Sequence, residues 1–416
     1  AADGLSLRLP VTVPSTPELT RVSRGWTARF GLIWLGVWIA MLVPVSLALP
    51  DQLATVDHAH RYRNFGLINA LVGLAALVSL PLFGAMCDRT NSRFGHRKAW
   101  VLGGVVAMVV GLILTGRQDT WQMIAFWWIV ANLGNSAIAT GLTASVADQV
   151  PDDQRGTISG FMYGTQGLGI VVGMVAVEGF EAATRYVLLA IALVLCALPY
   201  LVVNRDVEPS AGTEPLTLKR ILSNMWISPR RYPDFGWAFG SRLLVNVGNA
   251  LGTTYLWFFL RDGLKVEDPD GTLITVTVIY LVATLIATFV AGPVSDRTGR
   301  RRIFVGVAAG LQAVAGVLVA AAPSVGMLMV AAAFIGAGYG AFVAVDQALV
   351  TAVLPNADDR AKDLGILNVG AAVPQGLGPL AAAGITTAFG FSPLFLAAGL
   401  STAVGALMVS RVRSVR

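Results

Sequence analysis

The chain has 416 residues, of which 55% are hydrophobic and only 13% charged, with a mean hydropathy of +0.68 and a formal net charge of +6. A soluble globular chain of this length cannot cover its surface with so few charges, so the composition excludes that class and, with it, a nucleic-acid reading of the positive balance. What remains is an integral membrane protein whose charges mark where the chain leaves the bilayer.

Residues 1–25 are polar, carry Pro10, Pro14 and Pro17 without a long apolar run, and read as a tail rather than a signal peptide. The first apolar span, Trp26 to Pro50, is long enough to cross about 30 Å of hydrocarbon at about 1.5 Å per residue. Five more follow at 64–86, 99–116, 121–147, 157–177 and 186–203. Residues 204–234 then break the pattern with clustered charges and Pro209 and Pro215, as a polar linker does. Six further spans follow at 235–260, 273–294, 303–322, 326–353, 364–388 and 393–410, leaving 411–416 as a short tail. The expected fold is an all-α membrane protein with twelve transmembrane helices in two pseudo-symmetric six-helix bundles, 26–203 and 235–410. An inside N-terminus puts 23 of the 30 Lys and Arg residues on the cytosolic side and six on the other, with Arg242 inside the membrane, so both termini are expected in the cytosol. Compact loops suggest a bacterial inner membrane.

The segment Gly84 to Lys98 is a cationic turn between two spans, and it recurs at Gly292 to Arg302. The recurrence pairs Gly84 with Gly292, Asp88 with Asp296 and Arg89 with Arg297, each 208 residues apart, and Gly95 with Gly299 across a turn four residues shorter in the second copy. Topology alone explains the cations but not the repeated Gly and Asp. These residues, with Arg97, Arg301 and the acid Asp148 at the end of the fourth span, are expected to form a cytoplasmic latch in which Asp88 and Asp296 face a neighbouring helix N-terminus. The second-half counterpart of Asp148 is Ala352, so the second latch is expected to be weaker.

This repeated turn resembles the motif between helices two and three, and again between eight and nine, of the major facilitator superfamily of transporters. The long form of the first copy, Asp88 to Trp100 with Ser92-Arg-Phe-Gly95, resembles the sucrose-transporter-like and glycoside-pentoside-hexuronide symporters. That resemblance implies alternating access between two bundles, with the first, fourth, seventh and tenth helices lining a central cavity. His96 departs from the branch's pattern, and residues 64–86 lack the paired acids of its melibiose-type members, so a sodium site does not carry over.

An ionisable side chain in mid-span costs about 2.5 to 3.5 kcal/mol on insertion scales and calls for a partner or a function. Arg242 lies about 10 Å into the seventh span and Asp346 about 13 Å before the end of the tenth, which matches them in depth and makes them the expected ion pair, facing the cavity that the resemblance implies. Asn246, Asn249 and Thr253 continue one polar stripe from Arg242. Asn132 and Asn135 on the fourth span, Asn368 and Gln375 on the eleventh, and Trp34 and Trp38 on the first complete a candidate substrate site whose amides and indoles suit a polyol. Asp346 is the expected proton carrier, released from and returned to Arg242. The resulting expectation is a proton-coupled sugar or glycoside symporter; an exporter of amphipathic drug-like molecules and a lipid translocator are the alternatives. No paired acids, nucleophile with base or metal-ligand spacing points to an enzyme. Cys87 and Cys196 are expected as free thiols and His58 and His60 as solvated loop residues. No cofactor beyond the proton, no metal and no nucleic-acid partner is expected, and the chain is expected to act on a small molecule as a monomer.

Overall fold

The computed structural model describes residues 21–90, 92, 95–204, 206, 233–352 and 360–412; the side chains at 152, 296 and 347–372 lie outside the described residues. Most of the expected N-terminal tail and of the linker also falls outside them. The described chain is helical almost throughout. Its twelve long helices are α1 (Arg24–Val56), α2 (Arg61–Cys87), α3 (His96–Thr115), α4 (Trp121–Gln149), α5 (Asp152–Val177), α6 (Ala182–Val203), α7 (Pro233–Gly263), α8 (Pro269–Thr298), α9 (Arg301–Ala321), α10 (Val325–Ala352), α11 (Arg360–Phe389) and α12 (Phe391–Ser410). Eleven of them are long and apolar enough over their described residues to cross a membrane, and α11 completes the second set of six.

Local chemistry sets the helix ends. The Ser23 hydroxyl accepts from the Trp26 amide at the start of α1, and Asp268 accepts from the Gly271 amide at the start of α8, with Pro269 in the first turn. Most helices run past their expected limits, α8 by four residues at each end, and two do so through a change of helix type. α1 continues beyond Pro50 to Val56 and α7 beyond residue 260 to Gly263, each through a π-helical turn, Pro44–Ala48 in α1 and Phe259–Gly263 in α7. Hydropathy falls where polar residues enter, but the backbone hydrogen bonding does not stop there.

The packing repeats as the sequence does. In the first bundle α2 packs on α4, α3 on α4 and α6, and α1 on α5 and α6; in the second, α8 packs on α10, α9 on α10 and α12, and α7 on α11 and α12. Small residues allow these crossings: a Cβ on Gly104 would stand 2.6 Å from the Gly134 carbonyl oxygen, and one on Gly336 would stand 2.2 Å from that of Tyr280. Outward faces are apolar, with Phe289 76% and Leu407 68% exposed, as a lipid-facing surface requires.

Arg21 pairs with Asp153, Trp26 with Gln149 and Arg29 with Asn204, while Arg411 covers the ring of Trp237. Residues 21 and 412 therefore lie at one end of the molecule, the near end, with the α2–α3, α4–α5 and α8–α9 turns. The α1–α2, α3–α4, α7–α8 and α9–α10 turns occupy the far end. Between bundles, α2 packs along α11 and α5 touches α8. The α2–α11 seam is tightest in the far half of α2, where a Cβ on Gly66 would stand 2.6 Å from that of Ala383, and one on Gly73 2.7 Å from the Gly376 Cα.

Candidate functional site

Arg242 lies in the third turn of α7 and Asp346 on α10, both inside the second bundle. Arg242 Nη1 donates to Asp346 Oδ2 at 2.6 Å, with the two side chains 13% and 4% exposed. In such a low-dielectric setting neither charge is tolerable without the other. Two tyrosines that the sequence reading passed over stand beside the pair. Tyr339, on α10, is close enough to feel both charges, and its ring stacks on Tyr280 of α8 with centroids 6.5 Å apart. Asn249 reaches the Tyr280 hydroxyl at 3.5 Å, so the polar stripe of α7 is turned partly toward α8. The signal for the tyrosines was their rarity: few phenols lie within these spans, and each needs a polar neighbour.

The other candidate side chains are largely engaged within their own bundle. Asn246 and Asn132 each donate an amide hydrogen to the carbonyl four residues earlier, at Arg242 and Trp128. Trp34 and Trp38 stack at 5.5 Å; Trp34 is 3% exposed in the first bundle's core, and the Trp38 indole donates to the Met162 carbonyl of α5. Asn135 is half-buried and Gln375 exposed, while the side chain of Asn368 lies outside the described residues.

The near-end turn of the first bundle is a three-residue clasp. Arg97 Nη1 donates to Asp88 Oδ1 at 2.5 Å and its Nε to Asp148 Oδ2 at 2.8 Å, so one guanidinium ties the end of α2 to the end of α4. Asp88 therefore does not face a helix N-terminus as expected. Asp206 takes that place, accepting from the backbone amides of Arg97 at 2.8 Å and Lys98 at 2.9 Å. Asp88 and Arg97, with Leu80, Gly84, Thr140 and Thr143, line a cleft of about 420 Å³ between α2 and α4. Arg89 is exposed. In the second copy, Gly292 and Arg301 are half-buried and Arg297 exposed, and the side chain of Asp296 lies outside the described residues, as does that of Ala352. Cys87 and Cys196 are both free thiols.

The far end carries a denser set of charges that sequence reading had counted only as topology markers. Arg185 of α6 meets Asp270 of α8 at 2.6 Å, and Arg61 of α2 meets Asp262 of α7 at 3.0 Å. The Tyr62 hydroxyl also donates to Asp262, and the Tyr255 hydroxyl to the Tyr62 carbonyl. In the α1–α2 turn, slight burial pushes the Asp57 carboxyl up, but hydrogen bonds from Asn64 and His60 outweigh that and hold it below its ordinary range.

A helical repeat of six and six, with the same Gly-x-x-x-Asp-Arg turn in each half and a clasp of Asp88, Arg97 and Asp148 in the first, matches one family of known proteins. Its model, described as Major Facilitator Superfamily, matches residues 30–279 and again 243–416. The chain belongs to the Major Facilitator Superfamily. It is accordingly a membrane transporter and not an enzyme. Among curated relatives, it is 22% identical over 293 residues to the multidrug resistance protein MdtG of Enterobacter lignolyticus (strain SCF1), covering 67% of each chain. It is 21% identical to MdtG of Salmonella arizonae, covering 67% of this chain and 70% of that one. A crystal structure of the nucleoside transporter NupG superposes with a TM-score of 0.75 over 93% of this chain and 98% of the other, at 12% identity, which is a likeness of Major Facilitator fold.

Proposed function

We propose that this transporter is a proton-driven exporter of amphipathic organic molecules, held in a bacterial inner membrane with both termini in the cytosol. The observation that carries the coupling is the Arg242–Asp346 pair, 2.6 Å apart and nearly closed to solvent. A proton delivered to Asp346 cancels its attraction for Arg242, which favours whichever bundle arrangement gives the guanidinium water or a substrate. The return of the proton on the other side restores the pair.

The choice of cargo follows from which donors are left over. A polyol needs several directional partners, yet the amides of Asn132 and Asn246 and the indole of Trp38 already serve carbonyls of their own bundle. The partly exposed rings of Tyr280 and Tyr339 offer an aromatic surface next to the ion pair, which suits a flat apolar molecule with one polar end. The relatives named as multidrug resistance proteins support the same weighting. The sugar-symport reading retains its support from the long form of the first turn, Ser92 to Gly95. The excess of cations at the near end supports the assigned orientation.

The test is transport in proteoliposomes under an imposed pH gradient, with a lipophilic fluorescent dye and a panel of labelled sugars. Gradient-dependent dye movement is expected in the parent and lost in Asp346→Asn, which keeps dye exchange without a gradient. Full gradient-driven transport by Asp346→Asn would overturn the coupling role. Sugar accumulation without dye movement would restore the symporter reading.

A further inference from the structure

The far end holds a set of charges divided evenly between the bundles. The first contributes Asp51 of α1, Arg61 of α2 and Arg185 of α6; the second contributes Arg261 and Asp262 of α7 and Asp270 of α8. Arg185 is the most buried of them, with its side chain 7% exposed. Its Nη2 is 2.6 Å from Asp270 Oδ2 and its Nη1 3.3 Å from Asp51 Oδ2, so one guanidinium joins an acid of its own bundle to an acid of the other. Arg261 approaches Asp51 at 3.7 Å from the opposite bundle, its guanidinium lying over the Trp257 ring. Trp257 in turn donates its indole hydrogen to Asp270. Three cations and three anions thus close the seam with no net charge.

The backbone supplies an independent sign that this arrangement is built. α1 and α7 occupy the same place in the two repeats, and each contains a π turn near the far end, Pro44–Ala48 and Phe259–Gly263. A π turn takes in an extra residue and so swings the segment beyond it to a new azimuth, at some cost in helix stability. In α7 the turn itself contains Arg261 and Asp262; in α1 it comes just before Asp51. Both turns therefore decide where seam charges point.

We infer that this cluster is a bundle-to-bundle lock, with Arg185 at its hub, that holds the far side shut and is pulled apart each time the transporter opens to that side. The inference rests on the two bundles moving relative to one another, and it does not depend on the cargo or on Asp346. Arg185 has a double effect: present, it bridges the seam; absent, it leaves Asp51 and Asp270 as neighbouring like charges across it. The closed far side is then repelled as well as unlatched.

The experiment is a distance measurement between spin labels at Asp119→Cys in the α3–α4 turn and Ala322→Cys after α9, both exposed at the far end, in the full chain with Cys87→Ala and Cys196→Ala. Arg185→Gln is expected to raise the long-distance, far-open population about tenfold over the parent. Arg61→Gln, at the less buried pair, is expected to do the same to a smaller extent, and the exchanged double variant Arg61→Asp with Asp262→Arg to return the distribution to the parent's. Parent-like distances in both Arg185→Gln and Arg61→Gln, measured on folded monodisperse protein, would overturn the lock. So would a far-open population in the exchanged double variant as large as in Arg61→Gln, because a merely structural residue is not rescued by swapping charges.

Discussion

Gly95 and Gly299 are paired by sequence and both have positive φ, +100° and +65°, but Gly95 precedes α3 with ψ 164° whereas Gly299 ends α8 in the left-handed region with ψ 7°. An L-residue costs about 1–2 kcal/mol at Gly299 and about 1–3 kcal/mol at Gly95, whose backbone lies in a region essentially confined to glycine. At Gly95 an added methyl would also stand 2.3 Å from Asp206 Oδ2, the cap of α3, whose loss costs about 1 kcal/mol more. At Gly299 it would meet open space. Gly95→Ala is therefore expected to lower the melting temperature in detergent clearly more than Gly299→Ala, and equal melting of the two would overturn this reading of the turn. The glycine pairing was legible in the sequence because the repeated Gly-x-x-x-Asp-Arg before it aligns the two turns. Asp206 was not, because a cap 109 residues away in sequence is a tertiary fact. Arg242 and Asp346 were matched by helical rise, which gives depth without needing the fold. Arg185 escaped the same reasoning because it falls just before the apolar run 186–203, where it looks like any cation that sets topology; only the observed helix, which starts at Ala182, takes it in.

Whole elements were easier to read than their limits or their facing. Hydropathy located twelve spans, but the π turns of α1 and α7 have no composition of their own, so both helices run further than the apolar residues do. The stripe Asn246, Asn249 and Thr253 was visible as a period; that it turns toward α8 depends on the crossing of α8 with α10. That crossing makes its own prediction. A Cβ on Gly336 or Gly340 would stand 2.2 Å from the carbonyl oxygen of Tyr280 or Thr284, and the Thr284 and Thr288 hydroxyls already donate to Gly336 and Gly340. Gly336→Ala must push the helices apart, at a cost of about 1–3 kcal/mol. Gly310→Ala on α9 meets nothing within 4 Å and is expected to be neutral or, by about 0.5–1 kcal/mol, stabilising. Melting in detergent separates the two, and because Tyr280 moves with α8, Gly336→Ala is also expected to slow dye transport.

At the scale of the molecule, the repeat in sequence becomes a repeat in packing, and among the described residues the extensive helix contact across the seam is that of α2 along α11, with α5 touching α8. The far half of that seam is closed by backbone on backbone at Gly66 and Gly73 and by ion pairs beyond them. Glycine-to-glycine contact is unforgiving: the surfaces either meet or separate, with little slack for a gradual opening. If the bundles rock as rigid bodies, a tether across the far end must stop turnover without disturbing the near end. Thr55→Cys on α1 and Glu267→Cys before α8 are exposed on opposite bundles and suit a flexible bismaleimide long enough to hold the seam in its closed spacing. In a background with Cys87→Ala and Cys196→Ala, the tethered protein is expected to lose gradient-driven transport. Its singly substituted controls are expected to keep it. In the same background without the tethering pair, Thr143→Cys, exposed on the near-end cleft, is expected to react readily with a soluble maleimide, because the structure closed at the far end already presents that cleft. Undiminished transport through tethered protein would mean that substrate passes without the far seam parting, and the whole-molecule account of two rocking halves would fail with it.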